Sequence, residues 1–66
     1  MVKRMKATYD SPSTVDNVVV DLIGTGIPRD NIMIDKAANK VEINIPAVTQ
    51  NEAGEILKRH HPVRFE

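Results

Sequence analysis

The feature that most restricts the fold of this chain is the absence of cysteine from a sequence of only 66 residues. Very small domains often depend on disulfides or on thiolate-bound metal, and neither support can form here. A chain of this length buries only about 60% of the surface that it exposes when unfolded, which leaves room for one hydrophobic core. We therefore expect a single domain over residues 1–66, held together by that core or by a partner subunit.

Composition and charge exclude several classes of protein. Hydrophobic residues make up 41% of the chain and charged residues 27%, a balance typical of globular domains and too apolar for a disordered tail. Nine basic residues balance nine acidic ones, so there is no overall field to attract nucleic acid or an anionic membrane. Apolar runs such as Val18–Val20 are far shorter than the roughly 20 residues of a membrane span. These features predict a cytoplasmic protein with no membrane partner.

The N-terminal segment predicts a strand that leads into a helix. Every second residue from Met5 to Tyr9 is apolar and the residues between them are polar, which is the period of a half-buried strand over residues 1–9. Either Ser11 or Ser13 can cap the helix that follows, and Pro12 suits the first helical position.

The segment after this cap predicts an amphipathic helix of about three turns. Its apolar residues follow the i, i+3, i+4, i+7, i+8 spacing of one helical face. The valine run Val18–Val20 favours a strand by propensity, but the cap and the periodicity outweigh it. Gly24–Pro28 ends the helix, with a glycine for the left-handed position and a proline after it. The predicted buried stripe consists of Val15, Val18, Val19, Leu22 and Ile23.

The middle of the chain predicts an antiparallel hairpin. Residues 31–35 place Ile32 and Ile34 on one face, and residues 41–45 alternate in the same way. The connection between these strands is short, and Asn39 tolerates the positive φ that such a turn requires. Pro46 ends the second strand.

A second helix is predicted from the pair Thr49 and Glu52, which fits a capping box, with Val48 placed to pack on Ala53. Gly54 lowers the helix propensity by up to about 1 kcal/mol, so this helix must depend on tertiary packing. Its predicted buried face consists of Ala53, Ile56, Leu57 and His60.

A short final strand is predicted after Pro62, with Val63 and Phe65 on the buried side. The order βαββαβ predicts a ferredoxin-like α+β fold, a two-layer sandwich with a four-stranded antiparallel sheet and both helices on one face. The other face of the sheet stays open, basic at one edge and acidic at the other. The predicted interaction surface on this open face consists of Arg4, Lys6, Thr8, Met33, Glu42, Asn44 and Arg64.

The sequence contains no pattern that indicates catalysis. His60 and His61 are adjacent at a helix end and point in different directions, whereas a transition-metal site needs three or four converging ligands. Gly24–Gly26 follows a helix, whereas phosphate-binding loops precede one. No serine lies near a histidine in the sequence, and no carboxylate pair suits acid/base chemistry. We expect a protein that is not an enzyme and that has no catalytic residues, metal or cofactor.

One stretch resembles a known family. Tyr9–Ser11 followed by a helix, and then Gly26–Ile32, is similar to the short α/β domain of bacterial general-stress or heat-induced-stress proteins. In that family an aromatic-Asp-Ser start leads through a helix to a Gly-x-x-x-Asp-x-Ile strand entry. The resemblance covers about the first half of the chain, and valines replace the family's alanine-rich helix face. It implies the same fold and a stress-related role, and it carries over no catalytic residue.

Three functions follow as hypotheses. The first is a non-catalytic interaction module that forms a homodimer or docks on another protein, since the strand edges can pair with another chain. The second is a small-molecule sensor that resembles regulatory ACT-type domains, although the loop after the first strand lacks their glycines; its ligand is unknown. The third is nucleic-acid binding through Arg4, Lys6 and Arg64, which we rank below both.

Overall fold

The computed structural model describes residues 1–66 and confirms the ferredoxin-like α+β fold, with four strands and two helices in the predicted order. The strands are β1 (Val2–Thr8), β2 (Ile32–Asp35), β3 (Lys40–Pro46) and β4 (Arg64–Phe65). The helices are α1 (Pro12–Thr25) and α2 (Gln50–Arg59). Two short 3₁₀ turns, Arg29–Asn31 and Ala47–Thr49, lead into β2 and α2.

The strands form one antiparallel sheet in the order β2-β3-β1-β4, which places β3 and β1 in the centre. In this register Met5 lies opposite Ile43, and Ala7 lies opposite both Val41 and Phe65. Because side chains alternate along a strand, these residues share one face of the sheet. Helix α1 packs on β3 and α2 packs on β1, and both helices cover this face.

One core joins the helices to the sheet. Its largest fully buried side chain is Tyr9, which follows β1, and no polar side-chain atom is buried without a hydrogen-bond partner. Ile32 and Phe65 pack against the border of the core and stay half-buried. The core residues are Met5, Ala7, Tyr9, Val15, Val18, Leu22, Ile27, Val41, Ile43, Ile45, Ala53, Ile56 and Leu57.

Helix α1 begins and ends with local capping interactions. Ser11 is the N-cap, since its Oγ accepts a hydrogen bond from the Thr14 backbone N–H at 3.3 Å, and Pro12 is the first helical residue. At the other end Gly26 has a φ of 115°, and the N–H groups of Gly26 and Ile27 donate to carbonyls in the last turn. The glycine that the sequence predicts at the left-handed position is therefore Gly26.

Two details of the predicted core are wrong, those at Ile23 and Val63. Ile23 is 40% exposed, because at about 100° per residue it is rotated away from the stripe that faces the sheet. Val63 is also exposed, because the chain turns at His61, where φ is 56°, and β4 begins only at Arg64. Ile32 and Ile34 do share the core-facing side, but β2 is an edge strand, so neither is fully buried.

The capping box and the hydrophobic contact predicted at the start of α2 are also wrong. Thr49 precedes the helix, but its backbone is already helical, with φ −96° and ψ −4°, and its side chain makes no capping hydrogen bond. Val48 is 95% exposed and does not pack on Ala53. The cause is the 3₁₀ turn Ala47–Thr49, which replaces the extended backbone that a capping box needs.

Candidate interaction surfaces

The open face of the sheet carries all seven residues of the predicted interaction surface. Across the sheet, Met33 of β2 lies opposite Glu42 of β3, and Glu42 lies opposite Lys6 of β1. A second row joins Thr8 to Arg64. In a third row Asn44 lies opposite Arg4. All seven side chains are half-buried or exposed, and those on β1 and β3 alternate with buried core residues.

The polar contacts on this open face are weak. Arg4 Nε donates to Asn44 Oδ1 at 3.4 Å, and Lys6 Nζ lies 3.6 Å from Glu42 Oε1. The Lys6 side chain is 37% exposed, so the ion pair contributes on the order of 0.2–1 kcal/mol. Such weak contacts leave these side chains accessible to a partner.

The charges on the open face follow the predicted gradient only in part, because the basic Lys40 lies beside the acidic edge and the acidic Glu66 lies beside Lys6 at the other. Arg64, Arg4 and Lys6 lie on β4 and β1, whereas Glu42 and Asp35 lie on β3 and β2. Lys40, which was not predicted as part of this surface, lies between Asp35 and Thr8 on the same face. The open face also lacks aromatic side chains on which bases could stack, since Tyr9 and Phe65 belong to the core side.

A histidine–aspartate pair, which was not predicted from the sequence, connects the two helices. His60 Nε2 lies 2.6 Å from Asp21 Oδ2, and both side chains are partly buried. The sequence spacing could not reveal this pair, because the two residues are 39 positions apart and meet only when α1 packs beside α2.

Tyr9 has a structural role at the end of α2. Its hydroxyl donates to the backbone carbonyl of Leu57 at 2.7 Å, and burial raises the pKa of the phenol from 10.0 to about 12. The hydroxyl thus satisfies one of the last four carbonyls of α2, which have no partner within the helix.

No group of three or more histidine, cysteine, aspartate or glutamate residues is placed to hold a metal ion.

The exposed apolar residues next to β2 form a second surface, here called the α1–β2 flank and defined by Val20, Ile23 and Ile34. Asp21 faces α2, and Ile23 lies about 200° further around α1, so Ile23 faces away from α2 towards β2. Val20 precedes it by one turn and is 68% exposed. Ile34 lies on the helix side of β2 and is 37% exposed. Ile23 and Ile34 are therefore exposed on the β2 side of the molecule, and Val20 extends this apolar surface along the outer side of α1.

The backbone pattern shows which groups of β2 are free at the sheet edge. The hydrogen bonds that flank the β1–β3 ladder are Tyr9 N–H to Asn39 and Ala47 N–H to Met1. They show that Val41, Ile43 and Ile45 direct their backbone N–H and C=O groups towards β1. Lys40 and Glu42 therefore direct theirs towards β2. Lys40 and Glu42 pair with Asp35 and Met33 of β2. The residues between, Ile32 and Ile34, therefore direct their backbone groups away from β3. The Ile32 N–H already donates to Arg29, which leaves the Ile32 carbonyl and both groups of Ile34.

A small hollow of about 200 Å³ lies where α1 ends and α2 begins. Thr25 and Ile27 line one side of it, and Thr49 and Glu52 line the other. Glu52 is exposed, and no buried charge points into the hollow. We therefore assign no ligand to it.

Comparison of the chain with protein-family models, with curated proteins and with solved structures finds no match. Neither α1 nor α2 has the length and apolar character needed to cross a bilayer. The function is therefore inferred from the residues of this chain alone.

Proposed function

We propose that this chain is a non-catalytic interaction module that forms a homodimer through the α1–β2 flank. The observation that carries the proposal is the combination of exposed Val20, Ile23 and Ile34 with free backbone groups on β2. Exposed apolar residues beside an unpaired strand edge are typical of a protein–protein contact.

A second copy fits this edge by its own symmetry. In an antiparallel pairing centred on Met33, Ile32 of one copy lies opposite Ile34 of the other, twice. Ile34 N–H then donates to the Ile32 carbonyl of the partner, which uses the groups that point outward in the monomer. The result is a continuous eight-stranded sheet in which the two α1 helices lie side by side.

The charges at the ends of β2 favour this register. Asp30 precedes the strand and Lys36 follows it, and both are exposed. Pairing centred on Met33 brings Asp30 of each copy near Lys36 of the other. A register in which residues 30 and 35 are paired would instead oppose two aspartates, which is unfavourable.

The experiment is sedimentation equilibrium over a wide concentration range. The wild-type chain is expected to show a monomer–dimer equilibrium. The double substitution Val20→Glu and Ile23→Glu should weaken dimerisation at least tenfold, because it places carboxylates in the apolar contact. Both positions are exposed in the monomer, so the fold should persist.

The matched control is Val48→Glu, which makes the same type of change at a residue that is 95% exposed and lies far from β2 along the chain. It should leave dimerisation unchanged. A charge swap sharpens the test: Asp30→Lys and Lys36→Asp should each weaken the dimer, and the two together should restore it. A chain that stays monomeric at every concentration would contradict the proposal.

A further inference from the structure

Met33 is an exposed thioether on the edge strand of the sheet. Its side chain projects from β2 onto the open face, where it is 55% exposed. The side chain opposite it on β3 is Glu42, and the next pair along the two strands is Asp35 and Lys40. An apolar side chain thus lies among charged ones at the edge that the proposed dimer uses.

The symmetry of that dimer brings the two Met33 side chains together. In a pairing centred on Met33, each copy of this residue lies opposite the other. Ile32 and Ile34 form the hydrogen-bonded pairs, so the Met33 pair is of the non-hydrogen-bonded type, in which the Cα atoms are about 4.5 Å apart. The two thioethers therefore contact each other across the dimer axis, with one Glu42 on each outer side.

The three methionines of the chain differ in their access to an oxidant. Met5 belongs to the core and is 7% exposed, whereas Met33 is 55% exposed and Met1 is 93% exposed. Both helices lie on the other face of the sheet, so Met33 can be reached from the open face in the monomer and in the dimer. An oxidant that acts on the folded chain should therefore reach Met33 and Met1 and spare Met5.

We infer that Met33 is an oxidation site through which hydrogen peroxide weakens the proposed dimer, and this inference rests on that dimer. The thioether sulfur bonds to one oxygen of the peroxide, the O–O bond breaks, and the second oxygen leaves as water. The sulfur is oxidised by two electrons to a sulfoxide, and the peroxide is reduced to water.

A sulfoxide at this position opposes dimerisation because of its charge distribution and its solvation. Its oxygen carries partial negative charge, and in the dimer two such oxygens meet across the axis. The contact also removes part of the water around each oxygen, and neither Met33 nor the carboxylate of Glu42 offers a hydrogen-bond donor in its place. Donors of the same chain, such as Lys40, are equally available in the monomer and do not favour the dimer.

The experiment is sedimentation equilibrium of the chain before and after treatment with hydrogen peroxide, with mass spectrometry to locate the added oxygen. Met33 should gain one oxygen while Met5 gains none, and dimerisation should weaken about tenfold. Methionine sulfoxide reductases for both sulfoxide epimers should restore the original dissociation constant. Resistance of Met33 to oxidation, or an unchanged dissociation constant after its oxidation, would overturn the inference.

Two variants at this position provide matched controls. Met33→Leu keeps an apolar side chain of similar volume without sulfur, so it should dimerise like the wild-type chain and lose its sensitivity to peroxide. Because both chains contain Met1, an equal effect of peroxide on Met33→Leu would assign the effect to another residue and contradict the inference. Met33→Gln places a polar group at the axis and should weaken dimerisation without peroxide. Dimerisation of Met33→Gln as tight as that of the wild-type chain would also count against it.

The same measurements distinguish failure of the oxidation site from failure of the dimer. An untreated chain that stays monomeric at every concentration overturns both. An untreated chain that dimerises with a dissociation constant insensitive to peroxide overturns only the oxidation site. Circular dichroism of the oxidised monomer should match that of the untreated monomer, because Met33 is exposed. Loss of the folded signal would attribute the weaker dimer to unfolding and would contradict the inference.

Discussion

The two helices are stabilised by different means. Helix α1 is capped locally, by Ser11 at its start and Gly26 at its end. Helix α2 has no side-chain cap at Thr49, and the Leu57 carbonyl in its last turn is satisfied by Tyr9, which is 48 residues away. Local sequence therefore specifies the limits of α1, whereas α2 depends on its contact with the sheet. The difference predicts which substitutions each helix will tolerate.

The largest expected effect is at the distant cap of α2. Tyr9→Phe removes the hydroxyl that donates to Leu57 and leaves a buried carbonyl without a partner. We expect the free energy of unfolding to fall by about 1–3 kcal/mol, measured by urea denaturation. A loss below about 0.5 kcal/mol would show that water or another donor replaces Tyr9, and that α2 does not need this contact.

The same tyrosine should give a dependence on alkaline pH. Burial raises its pKa from 10.0 to about 12 in the folded chain, so the folded state retains a proton that the unfolded state releases. The stabilisation is complete below pH 10 and is lost as the pH rises towards 12. Denaturation curves at a series of pH values should show this decline, and Tyr9→Phe should remove that part of it. Because Tyr9 is the only tyrosine, phenolate absorbance reports its titration directly.

The next effect compares the starts of the two helices. Ser11→Ala should lower the free energy of unfolding by about 1 kcal/mol, because the Thr14 N–H loses its acceptor. Thr49→Ala is the matched change at α2 and should cost only a few tenths, since the Thr49 side chain makes no capping bond. Equal losses in thermal or urea denaturation would show that Thr49 does cap α2, and would remove the contrast between the helices.

The smallest effect has the opposite sign. Gly54→Ala should stabilise the chain by a few tenths of a kcal/mol, because alanine favours a helix by up to about 1 kcal/mol. The new Cβ would lie 3.1 Å from the end of the Met5 side chain, which is flexible and borders an open groove. Destabilisation on urea denaturation would instead show that Met5 is fixed in place.

The sequence was sufficient for the order of elements and for most of the core. Alternation in β1 and β3, the periodicity of α1 and the turn at Asn39 are local signals, and the structure confirms each of them. The capping box at Thr49 and the burial of Ile23 were wrong. A motif of residue types does not specify the backbone angle at the cap, and periodicity does not show how wide a stripe the sheet covers.

The interaction surfaces were harder to predict from the sequence than the core. Strand alternation was enough to place Arg4, Lys6 and Glu42 on one face. The His60–Asp21 pair and the α1–β2 flank arise from the packing of elements that are distant in sequence. Which backbone groups are free at the β2 edge depends on strand order, which has no signal in residue types.

The position of β1 in the sheet has a consequence for folding kinetics. This central strand precedes both of its partners in the chain, and the pair Arg4 and Asn44 is separated by 40 residues. Only β2 and β3 close a short loop. A large loop must therefore close before β1 gains its contacts, which predicts slower folding than that of a helical bundle of equal size, with the β2–β3 hairpin forming early and the β1–β4 pair last.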